Sequence, residues 1–171
     1  MCAGFQTTDK HLEPLWERAC SGVEPGSCEL PVRGLASSDL EQLASLAHAA
    51  FAGTVDSAPL ALWTRKLSSI MNSGYGPFLP MASLVAEMPS GQLAGAVLAT
   101  DFPAYKAPVI ALIAVAPDAQ EKGLGCCLLG HSIRALALEG FPMCRARISP
   151  GNEVSQRLFR KLGFALRSHS W

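Results

Sequence analysis

The sequence lacks both a charge imbalance and a long hydrophobic run. Fourteen Lys and Arg balance fourteen Asp and Glu among 171 residues, so net charge gives no support for a nucleic-acid or membrane-surface partner. Apolar runs such as Val109–Val115 are far shorter than the roughly 20 residues that a membrane-spanning helix requires. There is no low-complexity tract and no internal repeat, which excludes solenoids and disordered segments. We therefore expect neither a nucleic acid nor a membrane as partner.

The cysteines also lack a recognisable pattern. None of the six forms a C-x-x-C pair, and residues 1–5 lack the basic start and apolar core of a secretory signal. This usage favours reduced thiols in a cytoplasmic protein over a disulfide framework. His11, Cys20 and Cys28 match no zinc spacing, so no metal site is expected.

The length predicts a single domain over residues 28–171, with residues 1–27 as an N-terminal extension packed on it. In the extension, Thr8 or Asp9 is a candidate cap for a short helix that carries Leu12, Leu15 and Trp16 on one face. The charges are distributed unevenly along the chain. Residues 1–101 hold five Lys and Arg against ten Asp and Glu, whereas residues 102–171 hold nine against four. The second part therefore suits an anionic ligand and the first a cationic one, although scattered surface charge explains the asymmetry as well.

Hydrophobic periodicity predicts the element order β-α-α-β-β-β-α-β-α-β, an α/β fold that is more antiparallel in its first half. Ser38–Glu41 has the form of a capping box at the start of the first helix. Pro59 begins the second helix and Gly74 ends it. The predicted strands lie at residues 28–36, 82–88, 93–101, 109–115 and 143–149, with a last strand from 164.

One stretch, Pro108–Phe164, carries the chemistry. Val109–Val115 has no polar face, which indicates a central strand with both faces covered. The turn Gln120–Gly125 leads into a helix to Glu139, which returns the chain to a parallel neighbouring strand. Glycines at such a turn let a ligand approach the backbone, and the free amides of the helix's first turn favour a phosphate group. A dinucleotide fingerprint fails because Leu128 stands where the third glycine belongs, and no Walker Gly-Lys-Ser/Thr is present.

Two linked motifs identify a family. The pattern Gln120-x-x-Gly123-x-Gly125, after an apolar strand and at the start of a helix, resembles the acyl-CoA signature of the GNAT superfamily of N-acetyltransferases. The next helix is similar to that family's N-x-x-A/S-x-x-L-Y/F-x-x-L-G-F pattern through Asn152, Ser155, Leu158, Phe159, Leu162, Gly163 and Phe164. The resemblance implies a GNAT fold, in which helices flank a mixed central sheet that is split at two parallel strands. It implies acetyl-CoA as co-substrate.

The resemblance also implies a cofactor site. Main-chain groups of the bulged strand at Ile113, Ala114 and Val115 would pair with the pantetheine arm. The turn would hold the pyrophosphate through residues Gln120, Glu121, Lys122, Gly123, Leu124, Gly125 and Cys126. Asn152 and Ser155 would contact the pantetheine or phosphate from across the split, and Asn152 is equally suited to a plain helix N-cap. A reactive thiol at Cys126 and a simple core filler are both compatible with a cysteine at a helix start.

Catalysis is the part that departs from the family. Phe159 stands where the family usually has the Tyr that acts as the general acid. Strand 109–115 also carries no carboxylate, where the family often has a base. Tyr105 and Asp101 are the candidate acid and base, with Tyr75, Glu87 and His131 as further options. Each has a plain structural alternative: a half-buried aromatic for Tyr105, a turn former for Asp101 and an exposed strand residue for Glu87.

The expected activity is transfer of an acetyl group from acetyl-CoA to a primary amine of a small molecule or a protein. The acidic first part, with the loop 72–80, is the expected acceptor side. The alternatives are a non-catalytic acyl-CoA-binding regulatory domain and an interaction module with the same fold. The family usually has one more strand after the strand that begins at Phe164, and this sequence shows none. We therefore expect residues 1–27 or the second subunit of a homodimer to cover the edge at 165–170.

Overall fold

In the computed structural model, which describes residues 14–167, seven strands form one mixed sheet. The strands are β1 Leu15–Ala19, β2 Val32–Gly34, β3 Leu84–Glu87, β4 Leu93–Phe102, β5 Ala107–Val115, β6 Met143–Arg147 and β7 Ala165–Leu166. Their order in the sheet is β2-β3-β4-β5-β6-β1-β7. The helices are α1 Leu40–Phe51, α2 Leu60–Met71, α3 Leu124–Leu138 and α4 Glu153–Lys161. The predicted mixed sheet with flanking helices is confirmed, and so is the antiparallel hairpin of β3 and β4.

The central strand β5 is buried along its whole length because helices cover both faces of the sheet. One hydrophobic cluster joins α1 and α2 to one face, with Phe51 stacked on Trp63 at 5.0 Å between ring centroids. The other cluster joins α3 and α4 to the opposite face through residues such as Leu128 and Phe159. An unbroken apolar strand is what burial on two sides requires.

The N-terminal segment differs from the sequence expectation. Leu15 and Trp16 lie in β1 rather than in a helix, and β1 is inserted between β6 and β7, antiparallel to both. Trp16 is buried while Glu17 points to the other face, so the segment has strand alternation that its few residues did not distinguish from a helical stripe. Thr8, Asp9 and Leu12 lie outside the described residues.

The same strand covers the predicted edge. Glu17 lies opposite Ala165 and Trp16 opposite Leu166, and the Arg167 N–H donates to the Leu15 carbonyl at 2.8 Å. The prediction that residues 1–27 cover the edge is confirmed for residues 165–167, and β7 itself becomes the edge of the described sheet.

The start of α1 is fixed by Asp39 and not by a Ser38 capping box. Asp39 Oδ2 accepts a hydrogen bond from the Ala36 N–H at 2.8 Å, and both its oxygens bind the Arg33 guanidinium at 2.7 and 2.8 Å. Arg33 also binds Glu87 Oε1 at 2.7 Å, so one cation joins β2, β3 and the start of α1. Arg33 holds the pKa of the Asp39 carboxyl below its usual range. Glu87 thus has a structural role.

The cysteines are not all reduced. Cys28, which lies in a loop rather than in the predicted first strand, forms a disulfide with Cys127 of α3. Cys20, Cys126 and Cys144 are free thiols. The expectation of a wholly reduced set is therefore wrong, since partners 99 residues apart in sequence are brought together by packing of the loop on α3. Among residues 14–167, no helix has both the length and the apolar character needed to cross a membrane.

Candidate functional site

The site begins where the two parallel strands separate. β5 and β6 are paired only at Val109 opposite Arg145. Beyond that point β5 runs on to Val115 and β6 to Arg147 without further pairing. The predicted split between parallel strands is confirmed, and it opens toward the carboxyl ends, where α/β sheets bind ligands.

A β-bulge lies at the level of this split. In the pairing of β4 with β5, Leu98 lies opposite Leu112 and Ala99 opposite Ile110, so Ala111 is an extra residue. Ala111 and Leu112 both pack toward α1 and α2, whereas Ile110 packs toward α3. A bulge leaves backbone groups outside the regular ladder. β5 therefore has main-chain donors and acceptors without a partner among the described strands on the side where β6 has separated from it.

The turn between β5 and α3 is held in a compact shape by its own side chains. Gln120 Nε2 donates to the Val115 carbonyl at 3.0 Å, and Lys122 Nζ donates to the Asp118 carbonyl at 3.1 Å. Glu121 and Gly123 have left-handed φ values of 63° and 81°. This geometry ends the strand and starts α3 at Leu124, so the amides of the first helical turn, which have no carbonyl one turn back, face outward.

A cleft of about 350 Å³ lies over this turn, between α3 and α4. It is lined by seven of the residues expected to bind the cofactor: Val115, Gln120, Glu121, Gly123, Leu124, Gly125 and Cys126. A Cβ atom on Gly125 would lie 3.3 Å from Leu158 Cδ2, so a glycine keeps the cleft open there. Ile113 and Ala114 are buried farther back along β5, and Lys122 lines a neighbouring cleft of about 430 Å³.

Two cations of α4 line the same cleft and were missed from the sequence. Arg157 and Lys161 are one helical turn apart and both border it. Two cations at i, i+4 on the helix that carries the second sequence motif are the signal that would have found them. They place positive charge opposite the α3 N-terminus, which suits an anionic ligand between the two helices.

Asn152 and Ser155 lie at the start of α4, and both polar atoms of the Asn152 side chain have hydrogen-bond partners within the protein. Its Oδ1 accepts from the Ser155 N–H at 3.1 Å as the helix N-cap, and its Nδ2 donates to Asp56 Oδ2 at 2.8 Å. The N-cap role is confirmed. Ser155 Oγ is buried and has no hydrogen-bond partner among the described residues, and Ser155 is not among the residues that line the cleft.

Asp56 is a second feature that sequence reasoning missed. It lies in the loop between α1 and α2, is only 7% exposed, and accepts from Ser149 Oγ at 2.6 Å in addition to Asn152. The carboxylate thereby fastens the α1–α2 loop to the segment that follows β6. Nothing in the local sequence predicts this contact, because the partners are 93 and 96 residues away.

Of the two catalytic candidates, Tyr105 contacts Arg147, the last residue of β6, and Asp101 lies beside the start of β5. The Tyr105 hydroxyl accepts a hydrogen bond from Arg147 Nε, and the Arg147 guanidinium lies 5.0 Å from the centre of its ring. Asp101 is opposite Pro108, three residues and about 10 Å along the strand from the bulge.

Loop 72–80 contacts Asp101, whereas Phe159 and His131 lie in other parts of the structure. The loop 72–80 runs beside the end of β4, since the Asp101 N–H donates to the Pro77 carbonyl at 2.9 Å. Phe159 is buried against Phe164, with centroids 4.9 Å apart, and fills core space. His131 Nε2 is 3.2 Å from the Gly26 carbonyl, on the loop that packs on α3.

Comparisons with known proteins agree with this geometry. Residues 41–164 match the model of the acetyltransferase (GNAT) family. Over 146 residues the chain is 30% identical to a phosphinothricin N-acetyltransferase of Streptomyces coelicolor, and the match covers 82% of this chain and 84% of that protein.

Two solved structures show the same fold. One is a GNAT superfamily phosphinothricin acetyltransferase from Sinorhizobium meliloti in complex with AcCoA, with a TM-score of 0.63, 26% identity, and coverage of 82% of this chain and 77% of that one. The other is a GCN5-related N-acetyltransferase from Sphaerobacter thermophilus, with a TM-score of 0.67, 16% identity and coverage of 90% of this chain. The match spans 48% of that longer chain, and this likeness bears on the fold alone.

Proposed function

The chain belongs to the GNAT family of acetyltransferases, and we propose that it transfers the acetyl group of acetyl-CoA to the primary amine of a small molecule. The observation that carries this proposal is the cleft over the α3 N-terminus, which lies at the open end of the split between β5 and β6. A helix N-terminus suits a pyrophosphate, and the bulged strand beside it suits an extended amide-bearing arm.

In the proposed complex, the pyrophosphate lies on the amides from Glu121 to Cys126, with Gln120 bracing the turn and Lys122 at its rim. Arg157 and Lys161 add charge from the facing helix. The pantetheine arm pairs with the backbone of Ile113, Ala114 and Val115. Ser155 Oγ donates to this arm from the other side of the split, while Asn152 holds α4 in place through its cap.

The proposed reaction is direct attack of a neutral amine nitrogen on the thioester carbon. The new C–N bond forms, the C–S bond breaks, the amine loses a proton and the leaving thiolate gains one. A backbone amide freed at the Ala111 bulge polarises the thioester carbonyl. Tyr105 is the proposed acid for the thiolate, because its hydroxyl binds Arg147, the last residue of β6. Asp101 is the proposed base, acting through water since it lies farther back.

The acceptor is proposed to enter from the face that carries α1 and α2, beside the loop 72–80. The relative in Streptomyces coelicolor is a phosphinothricin N-acetyltransferase, which makes phosphinothricin the first small-molecule amine to test. An exposed amine of a protein is the second acceptor class. The cytoplasm is the proposed location, supported by the free thiols of Cys20, Cys126 and Cys144, with the Cys28–Cys127 bond as the observation against it. A homodimer stays a prediction.

A non-catalytic acyl-CoA-binding domain is the second candidate function. Two observations favour it: Phe159 is buried core where the family motif has Tyr, and β5 carries no carboxylate. Such a domain would keep the cleft and lack turnover.

Release of free thiol from acetyl-CoA, measured over a panel of amines, separates the two functions. The panel contains phosphinothricin, amino acids, polyamines and a lysine-bearing peptide. The enzyme proposal expects amine-dependent thiol release that is lost in a Gly125→Glu variant, since a carboxylate in the cleft opposes the pyrophosphate. Tight acetyl-CoA binding with no release above the amine-free rate for any panel member would favour the binding domain and contradict the enzyme.

A further inference from the structure

Three metal-ligating side chains converge outside the proposed CoA cleft. Cys28 Sγ, Cys127 Sγ and a ring nitrogen of His131 all lie within 4.8 Å of one another. Cys127 and His131 are one turn apart on α3 and so share a face of the helix. Cys28 comes from the loop before β2, 99 residues away from Cys127 in sequence.

The loop is seated closely enough to hold this arrangement. The Gly26 carbonyl lies 3.2 Å from His131 Nε2 and 3.6 Å from Cys127 Sγ. Pro25 rests against Gly130, where an added Cβ would come within 3.3 Å of the proline Cβ. The position of His131 next to the two sulfurs therefore follows from packing of the loop on α3 and not from chance proximity of a surface side chain.

Two thiolates and one imidazole form a ligand set that suits zinc, which binds Cys sulfur and His nitrogen in tetrahedral geometry. We propose that Cys28, Cys127 and His131 bind one Zn²⁺ ion when the two cysteines are reduced. The fourth position is left for water. No metal site is expected from the sequence, because two cysteines that are 99 residues apart form no recognisable zinc pattern.

The disulfide is the oxidised form of the same pair. A dithiol reductant supplies two electrons and two protons, which breaks the S–S bond and gives two thiols while the reductant becomes a cyclic disulfide. Zinc binding then releases both thiol protons, because the thiolate is the ligand. A ring nitrogen of His131 lies within 4.8 Å of both sulfurs, so a metal ion at this place would use all three groups.

The test uses the full chain, purified without a polyhistidine tag, reduced with a non-chelating phosphine and titrated with Zn²⁺ against a chromophoric chelator. Co²⁺ in place of Zn²⁺ reports the ligands directly, since thiolate ligation gives a charge-transfer absorption and tetrahedral geometry gives intense visible bands. The variants are Cys28→Ser, His131→Ala and, as matched control, Cys126→Ser, which removes a neighbouring free thiol of the same helix. Far-UV circular dichroism checks that each variant is folded.

The proposal expects one Zn²⁺ per reduced chain and none per oxidised chain. Loss of a direct ligand in Cys28→Ser or His131→Ala should weaken binding by more than the roughly 10- to 100-fold seen for outer-shell partners, while Cys126→Ser binds as the wild type does. The absence of stoichiometric zinc in the reduced wild type would overturn the proposal, and so would equal affinity in His131→Ala or a Co²⁺ spectrum without thiolate absorption. None of these readouts depends on acetyl transfer, so failure here leaves the proposed function untouched.

Discussion

Replacement of Asp56 should destabilise the protein in a graded way that depends on which hydrogen bonds survive. The carboxylate is 7% exposed and accepts from Ser149 Oγ at 2.6 Å and from Asn152 Nδ2 at 2.8 Å. Asp56→Ala leaves both buried donors without an acceptor, at about 1–3 kcal/mol each. Because removal of a buried charge offsets part of this cost, we expect a total loss of about 2–4 kcal/mol in the free energy of unfolding.

Asp56→Asn is the discriminating variant. Its oxygen can accept from Asn152 Nδ2, and its amide can donate to Ser149 Oγ, because that hydroxyl also accepts. Both hydrogen bonds persist without the charge, so the expected loss is only about 1 kcal/mol. Ser149→Ala should cost about 1–2 kcal/mol alone and much less in the Asp56→Ala background, since the two residues share one interaction.

Urea unfolding followed by circular dichroism measures these differences, with Glu24→Ala, an exposed loop carboxylate, as control. The control should stay within about 0.5 kcal/mol of the wild type. Equal losses for Asp56→Ala and Asp56→Asn, or additive losses for Asp56→Ala and Ser149→Ala, would refute the reasoning, because neither result is compatible with a shared buried network.

Three further predictions concern other parts of the molecule. Asp39→Asn should cost about 1 kcal/mol at pH 7, a value reduced for solvent screening because the Arg33 side chain is 38% exposed. Arg33 lowers the pKa of Asp39 in the folded state. The difference in free energy of unfolding between wild type and Asp39→Asn should therefore be complete above the unfolded-state pKa of Asp39 and vanish as the pH falls through its folded-state pKa. Unfolding measured at several pH values checks this. Gly95→Ala should destabilise by about 1–3 kcal/mol through overpacking, because the new Cβ would lie 2.8 Å from Leu128 Cδ1, whereas Gly34→Ala meets nothing within 4 Å and serves as control. If Tyr105 is the acid, Tyr105→Phe should lower kcat by about 100-fold or more with little change in KM; unchanged turnover there and in Asp101→Asn would remove both residues from the mechanism.

The parts that sequence could predict are those set by local pattern. Val109–Val115 predicts a strand buried on both faces, and Gln120–Gly125 predicts a turn that starts a helix. Both are found in the structure, because an unbroken apolar run and a glycine-bearing turn are local features of the sequence. Leu15 and Trp16 show the limit of this approach. Their spacing fits a helical face, and only pairing with β6 and β7 makes the segment a strand.

The remaining features arise from contacts between distant parts of the chain. Asp56 meets Ser149 and Asn152, and Cys28 meets Cys127, across more than 90 residues each. Arg157 and Lys161 become cleft residues only once α4 lies opposite the α3 N-terminus. The sequence around Asp56 and Cys28 carries no local signature of these partners, so the three-dimensional structure was needed to find the contacts.

Isothermal titration calorimetry with wild type, Gly125→Ala and Gly125→Glu measures whether acetyl-CoA binds at the α3 N-terminal turn. The added Cβ of Gly125→Ala would lie 3.3 Å from the flexible end of Leu158 and 3.6 Å from Val115 Cγ2, an ordinary contact, so this variant should fold and isolate the steric effect. We predict one acetyl-CoA per wild-type chain and an affinity about 100-fold lower or worse in Gly125→Glu, where a carboxylate faces the pyrophosphate. No binding by the wild type, or wild-type affinity in a folded Gly125→Glu variant, would contradict the account.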